Sequence, residues 1–247
     1  MPARQLLRIT AIGICCLVGF SGFVALGNWQ LERREWKLDL IQKVDERVHA
    51  IATPAPARPE WQDITKKANE YQHVFVSGHF LQGKDALVVA ATELGSGYWV
   101  LTPFQRSDNS IVYINRGFIG QRIKSSPPPS TEVKVSGLLR LSEPLGSALR
   151  TNDPASGRWF SRDIAAIAST QDLAAAPYFI DADKGAPGSR QPDKPEPDWP
   201  AGGLTVIKFH NSHLVYALTW YGLAAMMLGA LAIVVREERR THSRASL

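Results

Sequence analysis

The chain has 247 residues, 45% of them apolar and 21% charged, with a net charge of +5. That balance excludes collagen-like, coiled-coil and wholly disordered chains, and it suits one or two globular domains. The positive excess lies in the tails: Arg4 and Arg8 at one end, and Arg236, Arg239, Arg240 and Arg244 against Glu237 and Glu238 at the other. The stretch from Leu31 to Ser212 holds 22 basic and 21 acidic side chains, which argues against a nucleic-acid partner and for membrane-flanking charge.

Two stretches carry no charge. Ile9 to Gln30 and Leu214 to Val235 are 22 residues each, about 33 Å as helices, against a hydrocarbon core of about 30 Å. Ala25-Leu26-Gly27 offers a signal-peptidase site, but the uncharged run is longer than a signal core, which favours an uncleaved helix. The expected order is a tail over 1–8, a transmembrane helix over 9–30, an extramembrane domain over 31–212 with a helical extension over 31–50, a second transmembrane helix over 213–235, and a tail over 236–247. Lysine and arginine occur on both sides of the two spans. The short tails carry more weight than a long loop, so both termini are placed in the cytoplasm. Cys15 and Cys16 are adjacent within the first span, which leaves the central domain without a thiol for a disulfide, zinc or covalent haem site.

Beyond the first span, Leu31, Leu38, Ile41, Val44 and Val48 keep helical spacing until Pro54 and Pro56. The period then changes. Residues 71–80, 86–94, 97–106, 110–119 and 132–141 read as strands, with a hairpin turn at Ser107-Asp108-Asn109 and a loop over 125–131. Residues 160–169 read as a short helix capped by Ser161, and 177–183 and 204–209 as late strands. A proline- and glycine-rich loop over 185–203 separates those two strands. The expected fold is a mainly antiparallel α+β domain between two membrane helices.

Hydrolase, zincin, Walker A and dinucleotide-binding motifs are absent from the sequence, and the expectation is a protein that is not an enzyme. The polar residues beside the spans are more informative. Gln30, Arg33 and Lys37 share one helical face, and Trp29 and Trp36 a neighbouring one. Such a set reads either as an interfacial anchor or as a cationic grip for carboxylates. At the second span, Asn211 or Ser212 can cap the helix, His213 falls in the first turn, and Trp220 lies seven residues on. A histidine there is either a cap residue or a haem-iron ligand. His210 precedes the helix, and His49, His73 and His79 have no partner motif and read as structural or exposed.

LGNWQLERREWK (26–37), YQHVFVSGHF (71–80), GYWVLTPFQ (97–105), VYINRGFI (112–119) and NSHLVYALTWYGLA (211–224) together resemble the Surfeit locus protein 1 family of cytochrome oxidase assembly factors. Ser212 departs from the family pattern, where many members have a second asparagine. The resemblance implies a cell inner-membrane protein with a periplasmic domain that assists haem–copper oxidase maturation. It also implies transient binding of haem a, with His213 as iron ligand and Trp29, Gln30 and Arg33 close by. Trp220, on the face of His213, completes the candidate cofactor set. The implied partners are cytochrome oxidase subunit I, haem a synthesis and assembly proteins, and the lipid bilayer. The alternative is a docking module for an oxidase intermediate that holds no cofactor.

Overall fold

The computed structural model describes residues 3–144, 150–191, 199–205, 209 and 211–245. The chain divides into two compact units, residues 1–43 with 208–247, and residues 44–207.

Helix α1 (Ala3–His49) runs from the first unit into the second. No glycine or proline occurs between Gly27 and Pro54 to break it. Its polar stretch gains the pair Asp39–Lys43 at 2.7 Å, with the acid on the N-terminal side as the helix dipole favours. Helix α4 (His213–Ala245) begins where the Asn211 side-chain oxygen accepts the His213 backbone N–H at 3.4 Å. Both helices are long and apolar enough to cross a membrane, with mean hydropathy 2.0 within Thr10–His49 and within His213–Glu237. Large apolar side chains such as Leu17, Val18, Leu218 and Met226 stay exposed on them, the surface expected of helices solvated by lipid tails.

The second unit is a sheet of seven strands: β1 (Thr53–Pro54), β2 (His73–Phe80), β3 (Ala86–Thr92), β4 (Gly95–Arg106), β5 (Ile111–Gly120), β6 (Val133–Leu141) and β7 (Ala175–Ala182). Their order is β1-β2-β6-β7-β5-β4-β3, and a further pairing of β2 with β4 closes the five central strands into a barrel. Closure brings Gly78 of β2 against Arg106 of β4. Gly78 has φ +154°, and a Cβ there would stand 2.0 Å from the Gln105 carbonyl oxygen, so only glycine lets the seam shut.

Most pairings are antiparallel, as expected of a mainly antiparallel domain, but the sheet is a mixed barrel. β7 inserts between β5 and β6, antiparallel to β6 and parallel to β5, and β1 runs parallel to β2. Hairpin reasoning pairs chain neighbours. Here β5 and β6 do not pair with each other: β6 joins β2, and the connection through helix α3 (Ile164–Thr170) returns β7 antiparallel to β6, between it and β5.

Two apolar clusters lie on opposite faces of the sheet. Val74, Phe104, Ile114, Leu139 and Ile180 fill the barrel, while Leu101, Tyr113, Ile167 and Phe179 pack beneath α3. β5 therefore has nine consecutive buried residues, Ile111 to Ile119, instead of an alternating pattern. The five long predicted strands and β7 occur within a few residues of their expected limits. Helix α3 is capped by Asp163, whose side chain accepts the Ala166 N–H, and not by Ser161. The Ser161 hydroxyl instead donates to the Glu143 carbonyl oxygen. A 3₁₀ turn over Arg58–Asp63 and the short helix α2 (Lys66–Asn69) were not expected. Of the strand expected over 204–209, Leu204, Thr205 and Phe209 are not in a strand, and 206–208 lie outside the described residues.

Candidate functional site

Residues of both candidate motifs meet in the first unit. The Nδ1 atom of His213 lies 2.8 Å from the Oε1 atom of Gln30. An amide oxygen only accepts, so Nδ1 is the donor in this contact, and in the neutral ring the lone pair then sits on Nε2. That is the tautomer of a metal-ligating histidine whose other ring N–H is held by a carbonyl. Both side chains are partly buried. One turn before Gln30, Gly27 lets the Tyr221 ring lie against α1, because a Cβ there would come within 2.5 Å of the ring. The Tyr221 hydroxyl donates to Asn28 Oδ1 at 2.7 Å. Deeper in the helix pair, Trp220 stacks on Phe23 with centroids 5.8 Å apart.

The expected set is thus gathered in part. Gln30 and His213 touch, and Trp220 faces α1 through Phe23. Trp29 is 53% exposed, and Arg33 is exposed with its guanidinium 3.9 Å from the Trp36 ring centroid. Neither has a contact with His213 among the described residues. His210 lies outside them. Asn28 and Phe23 were not singled out from sequence, and Tyr221 stood out only as part of the closing 211–224 motif. Helical spacing places Asn28 and Phe23 on the first helix and Tyr221 on the second, but no single-helix pattern names the partner.

A second constellation lies within the barrel unit. Asp181 of β7, 4% exposed, accepts from Asn115 Nδ2 at 2.7 Å, Arg140 Nη1 at 3.0 Å, Arg162 Nη1 at 3.3 Å and Thr205 Oγ1 at 3.0 Å. Arg140 Nε donates to Glu70 at 2.8 Å, and Arg162 grips Glu143 through Nε and Nη2 at 3.1 and 2.6 Å. Burial disfavours the Arg140 charge, yet Asp181 and Glu70 outweigh it and push its pKa upward. Tyr71, at φ +64°, lays its ring 4.8 Å from the Arg140 guanidinium. Tyr71, Arg140, Arg162, Asp181 and Thr205 line a cavity of about 460 Å³ together with Trp99, Thr92, Leu204 and neighbouring residues. The sequence shows these carboxylates only as scattered single residues, because Glu70, Glu143 and Asp181 come from separate elements.

Among the described residues no cluster of three or more metal-binding side chains occurs. A sequence model of the SURF1 family matches residues 17–225. The chain belongs to the SURF1 family. It is 36% identical to Surfeit locus protein 1 of Xenopus tropicalis over 224 residues, covering 81% of this chain and 68% of that protein. The human Surfeit locus protein 1 is 33% identical over 235 residues, covering 86% and 73%, and a SURF1-like protein of Drosophila melanogaster is 27% identical over 247 residues, covering 90% and 77%. The match to the SURF1 model takes in Gln30 and His213 together with all seven strands.

Proposed function

We propose that this SURF1-family protein is an inner-membrane assembly factor that carries haem a on His213 and delivers it to subunit I of a haem–copper cytochrome oxidase. Family membership implies a role in cytochrome c oxidase assembly, and the two apolar helices are compatible with a membrane protein. The single observation that supports the cargo reading is the His213–Gln30 hydrogen bond, which frees Nε2 for iron at the start of a membrane-length helix.

The donor set fits such cargo. Imidazole binds haem iron, the stacked Phe23 and Trp220 supply apolar surface, and Gln30 holds the ring without adding charge. One protein ligand suits a carrier, since cargo that must be released is better held by one bond than by a closed cage. In this reading the termini lie in the cytoplasm and the barrel unit in the periplasm, the protein performs no catalysis, and its partners are the bilayer, subunit I and the proteins that make haem a.

The test is a spectrum. Full-length protein purified in detergent from cells that make haem a should show a Soret band, and His213→Ala should lose it at unchanged protein abundance. Haem retained in full by the variant, or no haem in the wild type under haem-replete conditions, removes the carrier reading. Orientation is tested separately by a reporter active only in the periplasm. Inserted after Gly83, in a turn with open space around it, it should be active, and fused after Leu247 it should be silent.

A further inference from the structure

β3 is the last strand in the sheet order, and among the described residues only the segment at Trp159 pairs with its outer edge. The Val89 N–H donates outward to the Trp159 carbonyl oxygen at 2.9 Å, and Val88 and Trp159 form an isolated parallel bridge. Backbone groups along a strand alternate sides. Ala91, two residues beyond Val89, therefore turns its N–H and C=O outward too, and neither has a partner among the described residues. Ala91 is exposed, and with Thr92 and Glu93 it lines the 460 Å³ cavity that Arg140 and Arg162 also line.

The cavity offers donors. Asp181 is saturated by four partners, whereas each guanidinium carries more N–H groups than its carboxylates take up. Three carboxylates, Glu70, Glu143 and Asp181, already outnumber the two arginines, so a further full negative charge would gain little there. A neutral oxygen acceptor suits these donors, and the Tyr71 and Trp99 rings suit an apolar stem.

We propose that the β3 edge and this cavity bind an extended polypeptide segment of a partner protein. Its backbone pairs with Ala91 and continues the parallel pairing that Trp159 begins, while a side chain ending in an amide or hydroxyl enters the cavity. Only a polypeptide supplies alternating N–H and C=O groups at strand spacing, which sets it apart from lipid or nucleic acid. The proposal rests on the assembly reading only for the choice of probe.

The probe is a set of short fluorescent peptides tiling the extramembrane segments of the oxidase subunit I made by the same cells. Binding to the full-length protein in detergent is followed by anisotropy. At least one peptide should bind, and Ala91→Pro should weaken it by about tenfold or more, equivalent to about 1.4 kcal/mol. The Ala91 N–H points away from β4, so proline there leaves the ladder intact, and the Soret band should not change. N-methylation of the peptide's central amide should weaken binding equally without touching the protein. No binding by any peptide overturns the proposal, as does binding indifferent to both changes. Peptide binding by protein that holds no haem would sink the carrier reading alone, and a Soret band without peptide binding would sink this proposal alone.

Discussion

Gln30 Oε1 and His213 Nδ1 stand 2.8 Å apart although 183 positions separate them in the chain. The bond orients a ring that a single helix would leave free to rotate, and it selects the tautomer. Loss of a group that orients a metal ligand costs about 10–100-fold in affinity. Gln30→Leu should therefore weaken haem retention on that scale, while Gln30→Glu, which keeps the acceptor, should restore most of it. The measurement is a Soret titration of purified protein, and equal retention by the leucine variant would show that Gln30 does not position the ligand.

His213→Asn separates ligation from folding. Asparagine serves the helix terminus but is a poor iron ligand. Haem content should fall to the level of His213→Ala, with protein abundance and thermal unfolding unchanged. A variant that keeps its haem would move the ligand elsewhere.

Gly27 and Gly22 lie on the same helix but differ in their surroundings. A Cβ at Gly27 meets the Tyr221 ring at 2.5 Å, whereas nothing lies within 4 Å of one at Gly22. Alanine favours a helix over glycine by about 0.5–1 kcal/mol. Gly22→Ala should leave thermal stability in detergent equal or slightly raised. Gly27→Ala should lower it, because the ring is tethered through its hydroxyl to Asn28 and has to move. Equal melting temperatures for the two variants would contradict this packing.

Asp181 collects two guanidiniums while 4% exposed. Asp181→Asn preserves its shape and removes the compensating charge, and breaking a buried pair costs about 3–5 kcal/mol. Replacing Asp181 and Arg140 together by leucine and methionine should recover part of that loss. Denaturant unfolding followed by tryptophan fluorescence checks both statements.

His73 has an acceptor at each ring nitrogen: the Ala50 carbonyl oxygen at 2.8 Å from Nδ1 and Asp183 Oδ2 at 2.9 Å from Nε2. Only imidazolium donates from both. Burial opposes that charge, but the bonds to Asp183 and Ala50 outweigh it and raise the pKa above 6.5. A raised histidine pKa stabilises the fold fully below the unfolded value of about 6.5, and that contribution drains away as pH rises through the folded value. Wild-type stability should fall across this window more steeply than that of His73→Gln. Parallel pH profiles for the two proteins would refute the clamp.

How much of this was legible depends on the range of the interaction. Residues 71–141 announced their strands because apolar side chains and turn residues recur over short spans, and α1 ran on past Gln30 because nothing in 28–53 breaks a helix. The pairing of Gln30 with His213 was foreshadowed by two motifs but could not be read as a contact, since each helix alone shows only which residues share its face. Arg33 illustrates the limit. It shares a spacing with Gln30, yet it turns to the Trp36 ring, because a long side chain chooses among neighbours that periodicity does not rank.

The amino-acid sequence by itself determined the two membrane-length helices, most of the strands and the family, since length, hydropathy and motif are local properties of the chain. Only the tertiary structure decided that the strands close into a mixed barrel with β7 between β5 and β6. It alone joined Glu70, Arg140, Glu143 and Arg162 into one network around the buried Asp181, and it alone left the outer backbone of Ala91 unpaired among the described residues. Strand order and charge pairing are settled by which distant segments can bury their apolar faces and satisfy their polar groups together. That is a condition on the whole fold, and no stretch of sequence carries it alone.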